Sequence, residues 1–149
     1  MKKLIFILVL LTFQSNAFSQ TFSKDSVVIR QVLADFFEVF TNPDMKHFDN
    51  NCVKTFELLE NGEIWRRAEI NNYVQGVLSK PKKWQRTNAF DFVSLNIKKN
   101  FAWVNYKNTA TIKNTDTQAI SEIKWLESII LEKQNGKWYL LQMHSTPMK

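Results

Sequence analysis

The second half of the chain alternates between apolar and polar side chains, which is typical of half-buried β-strands. Short polar turns divide it into four segments rich in Phe, Trp, Val, Ile and Thr, namely residues 86–97, 101–113, 119–133 and 137–146. Because these segments follow one another closely, we predict an antiparallel meander. We expect its more apolar face, which carries Tyr106, Trp138 and Leu140, to curl around the helices that precede it. If the turn around residues 115–116 is short, Tyr106 lies beside Trp125 on this face.

The first half of the chain instead places apolar residues at helical spacing. The first helix is predicted to begin at Ser23, a suitable N-cap, and to end before Pro43, with Asn42 capping a short second helix. A weakly alternating stretch around residues 61–62 predicts a small hairpin, and residues 67–78 return to helical spacing. Helices packed on one side of an antiparallel sheet form an α+β roll.

The last turn of the sheet predicts which side chains meet across the final two strands. Asn135-Gly136 between alternating runs is the strongest short-range signal for a two-residue type I′ hairpin. Counting outward from this turn places Glu127 opposite His144, so that a carboxylate lies beside an imidazole. The same register gives the pairs Trp125 with Thr146 and Ile129 with Gln142.

A carboxylate beside an imidazole has two interpretations. In the catalytic one, Glu127 fixes the tautomer of His144 and His144 transfers a proton. In the structural one, the two side chains only satisfy each other's polar atoms in a half-buried sheet. A further acid on the helices would favour the enzyme, and the candidates are Asp35, Asp44 and Glu69.

Other candidate site residues are aromatic or polar side chains expected near this pair, as is usual in small-molecule sites. The candidate ligand contacts are Trp65, Tyr106, Trp125, Gln142 and Thr146. Aromatic side chains such as these three belong more often to the core than to a ligand site. With only two His, three Gly and no carboxylate cluster at ligand spacing, the sequence predicts no metal site and no cofactor.

The first residues have the layout of a secretory signal peptide. Lys2 and Lys3 precede the apolar residues 4–11, and small and polar residues follow up to Gln20. The apolar run is shorter than the roughly 20 residues that a membrane-spanning helix needs. We therefore expect a signal peptide at residues 1–20, a single domain at residues 21–149, and a periplasmic or extracellular protein without a membrane anchor after cleavage.

Charge and cysteine content exclude some functions. Loss of Lys2 and Lys3 lowers the formal net charge from +6 to +4, and the one dense basic cluster, residues 80–86, falls where a helix should end. We interpret it as a solvated connector and expect no nucleic-acid partner. Cys52 is the single cysteine, so stability must come from a buried core, and a buried thiol is the default interpretation.

The predicted outer face of the sheet is also apolar. It carries Tyr139 and Leu141 together with Leu126, Ile130 and Met143, and Trp103 is a further candidate. This is more apolar surface than an exported protein leaves in water. A homodimer through the backs of the sheets is the predicted consequence.

Several short motifs taken together resemble those of a known family. They are Gly62-Glu-Ile-Trp65, Arg67-Ala-Glu-Ile70, Trp125-x-Glu127-Ser128, Asn135-Gly-Lys-Trp138 and His144-x-Thr146. The chain resembles the SnoaL-like branch of the nuclear transport factor 2-like superfamily over essentially all of residues 21–149. This resemblance implies a cone-shaped α+β fold, with three N-terminal helices packed on a long curved antiparallel sheet, a pocket between them, and usually a dimer.

The resemblance does not imply one reaction, because the superfamily includes polyketide cyclases, dehydratases, isomerases and epoxide hydrolases alongside ligand-binding and assembly domains. Glu127 and His144 resemble its strand-borne polar pair. Two function classes stay open: an exported domain that binds a small, largely apolar molecule, or a lyase, isomerase or hydrolase using Glu127 and His144. A dimer scaffold would be preferred if aromatic side chains filled the pocket.

Overall fold

The predicted helices and strands are present in a computed structural model of the chain, which describes residues 23–149. The expected signal peptide lies outside the described residues. The elements in chain order are α1 Lys24–Thr41, α2 Met45–Asn51, β1 Cys52–Glu60, β2 Glu63–Trp65, α3 Arg67–Leu78, β3 Trp84–Lys98, β4 Phe101–Asn114, β5 Ile120–Gln134 and β6 Lys137–Pro147. None of the helices within residues 23–149 is both long and apolar enough to span a membrane.

The six strands form one mixed sheet in the order β2-β1-β6-β5-β4-β3. Strands β3 to β6 form the predicted antiparallel meander, and β1 and β2 form the predicted hairpin. The sequence did not predict that β1 pairs with β6 in parallel, from Cys52 opposite Leu140 to Glu60 opposite Ser145. This pairing joins the hairpin to the meander and places it beside the terminal strand.

The core lies between α1 and the inner face of the sheet. Ser23 caps α1 as predicted, because its Oγ accepts a hydrogen bond of 3.2 Å from the backbone N–H of Ser26. Phe36, fully buried on α1, contacts three other rings at centroid distances of 5.4 to 5.7 Å, those of Phe37, Phe40 and Phe56. Cys52 is buried and free, also as predicted.

The second helix begins two residues later than predicted. Asp44, not Asn42, is its N-cap, and its Oδ1 accepts a hydrogen bond of 2.9 Å from the backbone N–H of Lys46. Asn42 instead ends α1, because its backbone N–H and its side-chain amide both donate to Glu38. The side chain that could have started one helix is occupied in ending the other.

The register of the last hairpin contains the main correction to the sequence predictions. β5 and β6 pair as predicted from Gln134 opposite Lys137 to Leu131 opposite Leu140. A β-bulge follows, in which Leu141 is the additional residue of β6, so that Ile130 pairs with Gln142. Since one additional residue exchanges the two faces of a strand, every later residue of β6 points opposite to the prediction.

Beyond the bulge, Glu127 pairs with Ser145, and His144 pairs with Ser128. The predicted pairing of Glu127 with His144 is therefore wrong. The pairs predicted for Gln142 and Thr146 are wrong for the same reason, because Met143 lies opposite Ile129 and Pro147 lies opposite Trp125. Met143, predicted on the outer face, is buried in the core.

The turn between β4 and β5 is longer than predicted, but it preserves the faces of the sheet. Asn114 accepts hydrogen bonds of 2.9 Å from the backbone N–H groups of Asp116 and Thr117, and its own N–H donates to the carbonyl of Ala119. Tyr106 consequently pairs with Glu127 instead of Trp125. Because the shift is two residues, Tyr106 still points inward, and it is fully buried.

Candidate functional site

A cavity of about 180 Å³ lies between the inner face of the sheet, α1, α3 and the β1-β2 hairpin. Its walls are largely apolar. Leu58 and Met143 contribute aliphatic surface, and five aromatic side chains complete the walls: Phe37, Phe40, Trp65, Tyr73 and Trp125. Two of the predicted ligand contacts, Trp65 and Trp125, thus face this space, and the aromatic side chains line it without filling it.

Glu127 also lines the cavity and is the most deeply buried acid described. It stands on the inner face of β5, only 4% exposed, between Tyr106 on β4 and Ser145 on β6. Its Oε1 accepts a hydrogen bond of 3.0 Å from the Ser145 hydroxyl. Ser145 occupies this position because the bulge turns it inward, so the bulge supplies Glu127 with its one hydrogen-bond donor of good geometry.

Burial raises the pKa of Glu127 from its usual 4.5 to about 7. Interactions with Tyr106, Ser145 and Asn108 lower the pKa in part, while the charge of Glu60 raises it slightly. A carboxyl group with a pKa near 7 exchanges a proton readily at neutral pH, which is the property required of a general acid or base.

Tyr106 and Asn108 lie beside this carboxyl group, fully buried on the inner face of β4, where they pair with Glu127 and Trp125. Both side chains favour the charged form of Glu127. Neither of them lines the cavity, so Glu127 is the member of this group that a bound molecule can reach. Because burying a carboxyl group in a largely apolar wall costs free energy, its presence there indicates a binding function.

Arg86 and Glu60 are the other charged residues of the cavity. Arg86 projects from β3, with its guanidinium carbon 5.6 Å from the ring centre of Phe40 and 5.7 Å from that of Trp125. Burial lowers the pKa of Arg86, and the charges of Tyr73, Glu127 and Glu60 oppose that shift. Burial raises the pKa of Glu60, against the effects of Arg86 and Trp125.

Asn108 and Arg86 were missed by the sequence predictions. Arg86 was grouped with the solvated connector, whereas the structure places it in the second inward position of β3. Asn108 follows Tyr106 at the two-residue period of β4. The period alone could have identified Asn108 as inward-facing, but a single polar residue in an alternating strand resembles one from the solvent face.

The structure does not bring His144 to the cavity. His144 and Thr146 are exposed on the outer face of β6, and Gln142 is half-buried beside Ile130. Since neighbouring residues of a strand point to opposite faces, the His144 side chain points away from the face that carries Ser145 and Glu127. The cavity that contains Glu127 is therefore not lined by the candidates Gln142, His144 and Thr146.

The three acids considered on the helices form hydrogen bonds away from the cavity. Asp35 accepts a hydrogen bond from Gln31, Asp44 caps α2, and Glu69 accepts from the backbone N–H of Arg66 at 2.8 Å. None of them lines the cavity. Within residues 23–149, no three side chains of His, Cys, Asp or Glu are grouped so that they could hold a metal ion.

Comparison with solved structures identifies the fold. The chain is similar to a CamKII hub homology domain from Chlamydomonas reinhardtii, with a TM-score of 0.71, 15% identity, and coverage of 84% of this chain and 99% of that one. It is similar to a ketosteroid isomerase-like protein from Erwinia carotovora atroseptica, with a TM-score of 0.64, 15% identity, and coverage of 86% and 99%. A hexachlorocyclohexane dehydrochlorinase of type 2 matches with a TM-score of 0.65, 10% identity, and coverage of 84% and 89%.

These likenesses show a nuclear transport factor 2-like α+β fold, as the sequence motifs predicted. Comparison with curated proteins gives no match. The model of the SnoaL-like domain matches residues 29–148, which is most of the chain and includes every strand of the sheet. The protein therefore belongs to the SnoaL-like domain family.

Proposed function

We propose that the cavity binds a small, largely apolar molecule whose polar group meets Glu127. The observation that carries this proposal is the buried carboxyl group of Glu127 in the wall of an apolar cavity. Burying a carboxyl group costs free energy unless it is fully paired. A ligand that hydrogen-bonds to Glu127 reduces that cost.

The size of the cavity limits the size of the molecule. A cavity of about 150 Å³ lined by aliphatic and aromatic side chains accommodates benzene. The present cavity, of about 180 Å³, suits a molecule with one ring and one or two substituents. Its aromatic walls favour a flat ligand over a branched one.

Catalysis by proton transfer is the second candidate function, and the pKa of about 7 at Glu127 favours it. In this version Glu127 removes or donates a proton on the bound molecule, as a lyase, isomerase or hydrolase would require. The Tyr106 hydroxyl and the Asn108 amide lie beside Glu127 and favour its charged form. His144 has no part in this chemistry.

We expect the wild-type protein to speed the exchange of an acidic C–H proton of the bound molecule with D₂O. Glu127→Gln should slow this exchange about 100-fold or more, because the amide cannot accept the proton. His144→Ala is the matched control, since it alters the outer face and should leave the rate unchanged. NMR measures all three rates, and equal exchange by wild type and Glu127→Gln would contradict catalysis while leaving binding intact.

Export and dimerisation complete the proposal. The signal-peptide layout of residues 1–20 supports export to the periplasm or the exterior. A patch of exposed apolar side chains on the outer face of the sheet supports a homodimer. In this patch Trp103 on β4 lies directly opposite Ile130 on β5, and Leu126 lies on the same face of β5. Tyr139 and Leu141, half-buried on β6, extend this face toward the terminal strand.

Native mass spectrometry of the protein purified from its own cells tests all three parts at once. We expect two copies of a chain that lacks about 20 N-terminal residues, carrying a small molecule of on the order of 100–200 Da. An intact N-terminus contradicts export, and a monomer at micromolar concentration contradicts the dimer. Ligand binding is contradicted if no molecule is retained and no compound from a panel of single-ring molecules raises the melting temperature.

A further inference from the structure

Arg86 is a charged group in the cavity that the proposed binding of an apolar molecule leaves without a role. Its Nε donates a hydrogen bond of 3.1 Å to Oδ1 of Asn88, which in turn donates through its amide to the Thr41 hydroxyl. These contacts fix the guanidinium plane from the side of α1. They use one of the five N–H groups that a guanidinium offers.

The terminal nitrogens of Arg86 have no hydrogen bond or ion pair with any residue in the described part of the chain. Glu127 and Glu60 act on Arg86 only through their charges. The other described arginines of the neighbouring segment, Arg66 and Arg67, form ion pairs with Glu57 and Asp49. Arg86 therefore differs from them in keeping its two-pronged end unoccupied while standing in a largely apolar space.

The surroundings of Arg86 explain why its charge is tolerated there. The rings of Phe40 and Trp125 lie within cation–π distance of the guanidinium, and both rings also form walls of the cavity. A flat molecule packed against these walls is placed next to the free end of Arg86. A planar guanidinium binds a carboxylate through two parallel N–H···O bonds better than it binds any neutral group.

We infer that the molecule bound in this cavity is a small, single-ring organic acid whose carboxylate pairs with Arg86 while its opposite end meets Glu127. This inference rests on the proposed ligand-binding function and names the class of ligand. It assigns Arg86 as the residue that selects acids over neutral molecules of the same shape.

Titration with matched pairs of single-ring acids and their carboxamides tests the inference, with benzoate and benzamide as the first pair. The measurement is made near pH 6, where benzoate is ionised and Glu127 is mostly protonated. Wild-type protein should bind the acid about tenfold more tightly than the amide, because charge-assisted hydrogen bonds exceed neutral ones by that order. Chemical-shift perturbation measures both affinities and reports contacts at Trp125.

Two variants test whether a preference for the acid over the amide comes from Arg86. Arg86→Gln should bind acid and amide equally, while Arg86→Lys, which keeps the charge but loses the two-pronged geometry, should retain part of the preference. Arg67→Gln is the matched control, because it removes an exposed guanidinium paired with Asp49 and should leave the preference unchanged.

The outcomes separate this inference from the proposed function. Equal binding of acids and amides by wild-type protein overturns the inference while leaving ligand binding intact, and so does a preference that persists in Arg86→Gln. If no acid or amide of the panel binds at concentrations up to about 10 mM, both the inference and the proposed function are overturned. The wild-type comparison decides the inference even if an Arg86 variant does not fold.

Discussion

Replacing Glu127 with glutamine should raise the free energy of unfolding at about pH 8 by roughly 3 kcal/mol. The pKa of this carboxyl group is about 7 in the folded protein, against its ordinary value of 4.5. Between these values the folded chain binds a proton that the unfolded chain has released. The stability contributed by the protonated carboxyl is therefore complete below about pH 4.5 and is lost as the pH rises through about 7.

Glutamine avoids that loss because it is neutral at every pH and can still accept the hydrogen bond from Ser145. Urea denaturation of wild type and Glu127→Gln between about pH 5 and pH 8 measures the effect. The two proteins should have similar stability near pH 5 and diverge as the pH rises.

Exposed His144 provides the control, since His144→Gln should change stability by less than about 0.5 kcal/mol at any of these pH values. Parallel pH curves for wild type and Glu127→Gln would show that Glu127 titrates normally.

Inserting one alanine between Gln142 and Met143 should destabilise the protein by about 4 kcal/mol or more, which is the largest effect expected. With one more residue in the ladder after the bulge, every later residue of β6 would move to the opposite face. Met143 would then leave the core and Ser145 would leave Glu127, while His144 would enter the apolar interior. The loss of one buried side chain and the burial of an imidazole act in the same direction.

The matched control for this insertion is Leu141→Ala, which removes most of the half-buried side chain but keeps the bulge. It should cost only about 1 kcal/mol, because the faces of β6 are unchanged. Denaturant unfolding at a single pH measures both variants. If the insertion proves no worse than the alanine substitution, the number of residues after the bulge does not determine which side chains of β6 face the core.

The comparison of sequence and structure shows which features have local signals. Alternation and the Asn135-Gly136 turn were sufficient to predict the strands and the inner positions of Tyr106, Trp138 and Leu140, all of which are buried. These features depend only on residues that are close in the sequence, and the alternation is repeated along each strand. The family motifs, taken together, correctly predicted the nuclear transport factor 2-like fold.

The candidate site was less predictable because it depends on non-local geometry. Nothing in Leu140-Leu141-Gln142-Met143 marks a bulge, since Leu141 could pair as readily as its neighbours. β1 meets β6 only after the chain has passed through five other elements, so neither strand carries a signal of the pairing. One undetected residue was enough to replace Ser145 with His144 beside Glu127, although Glu127 itself was identified correctly as an inward-facing acid.

Catalysis and binding make different demands on Glu127. A binding site needs this side chain only as a hydrogen-bonding partner, and Glu127→Gln would keep part of that function. A proton-transfer site needs the carboxyl group itself. The exchange experiment and the pH-dependent stability of Glu127→Gln therefore examine one side chain in two ways, of which only the first depends on knowing the ligand.

The burial of Cys52 has a practical consequence for any assembly of this protein. The thiol is 7% exposed, and burial raises its pKa well above its usual range. Since the thiolate is the reactive form, oxidants and other thiols react slowly with such a group. Subunits that associate through the sheet would thus be held by contacts alone, so that dilution separates them and reducing agents leave the equilibrium unchanged.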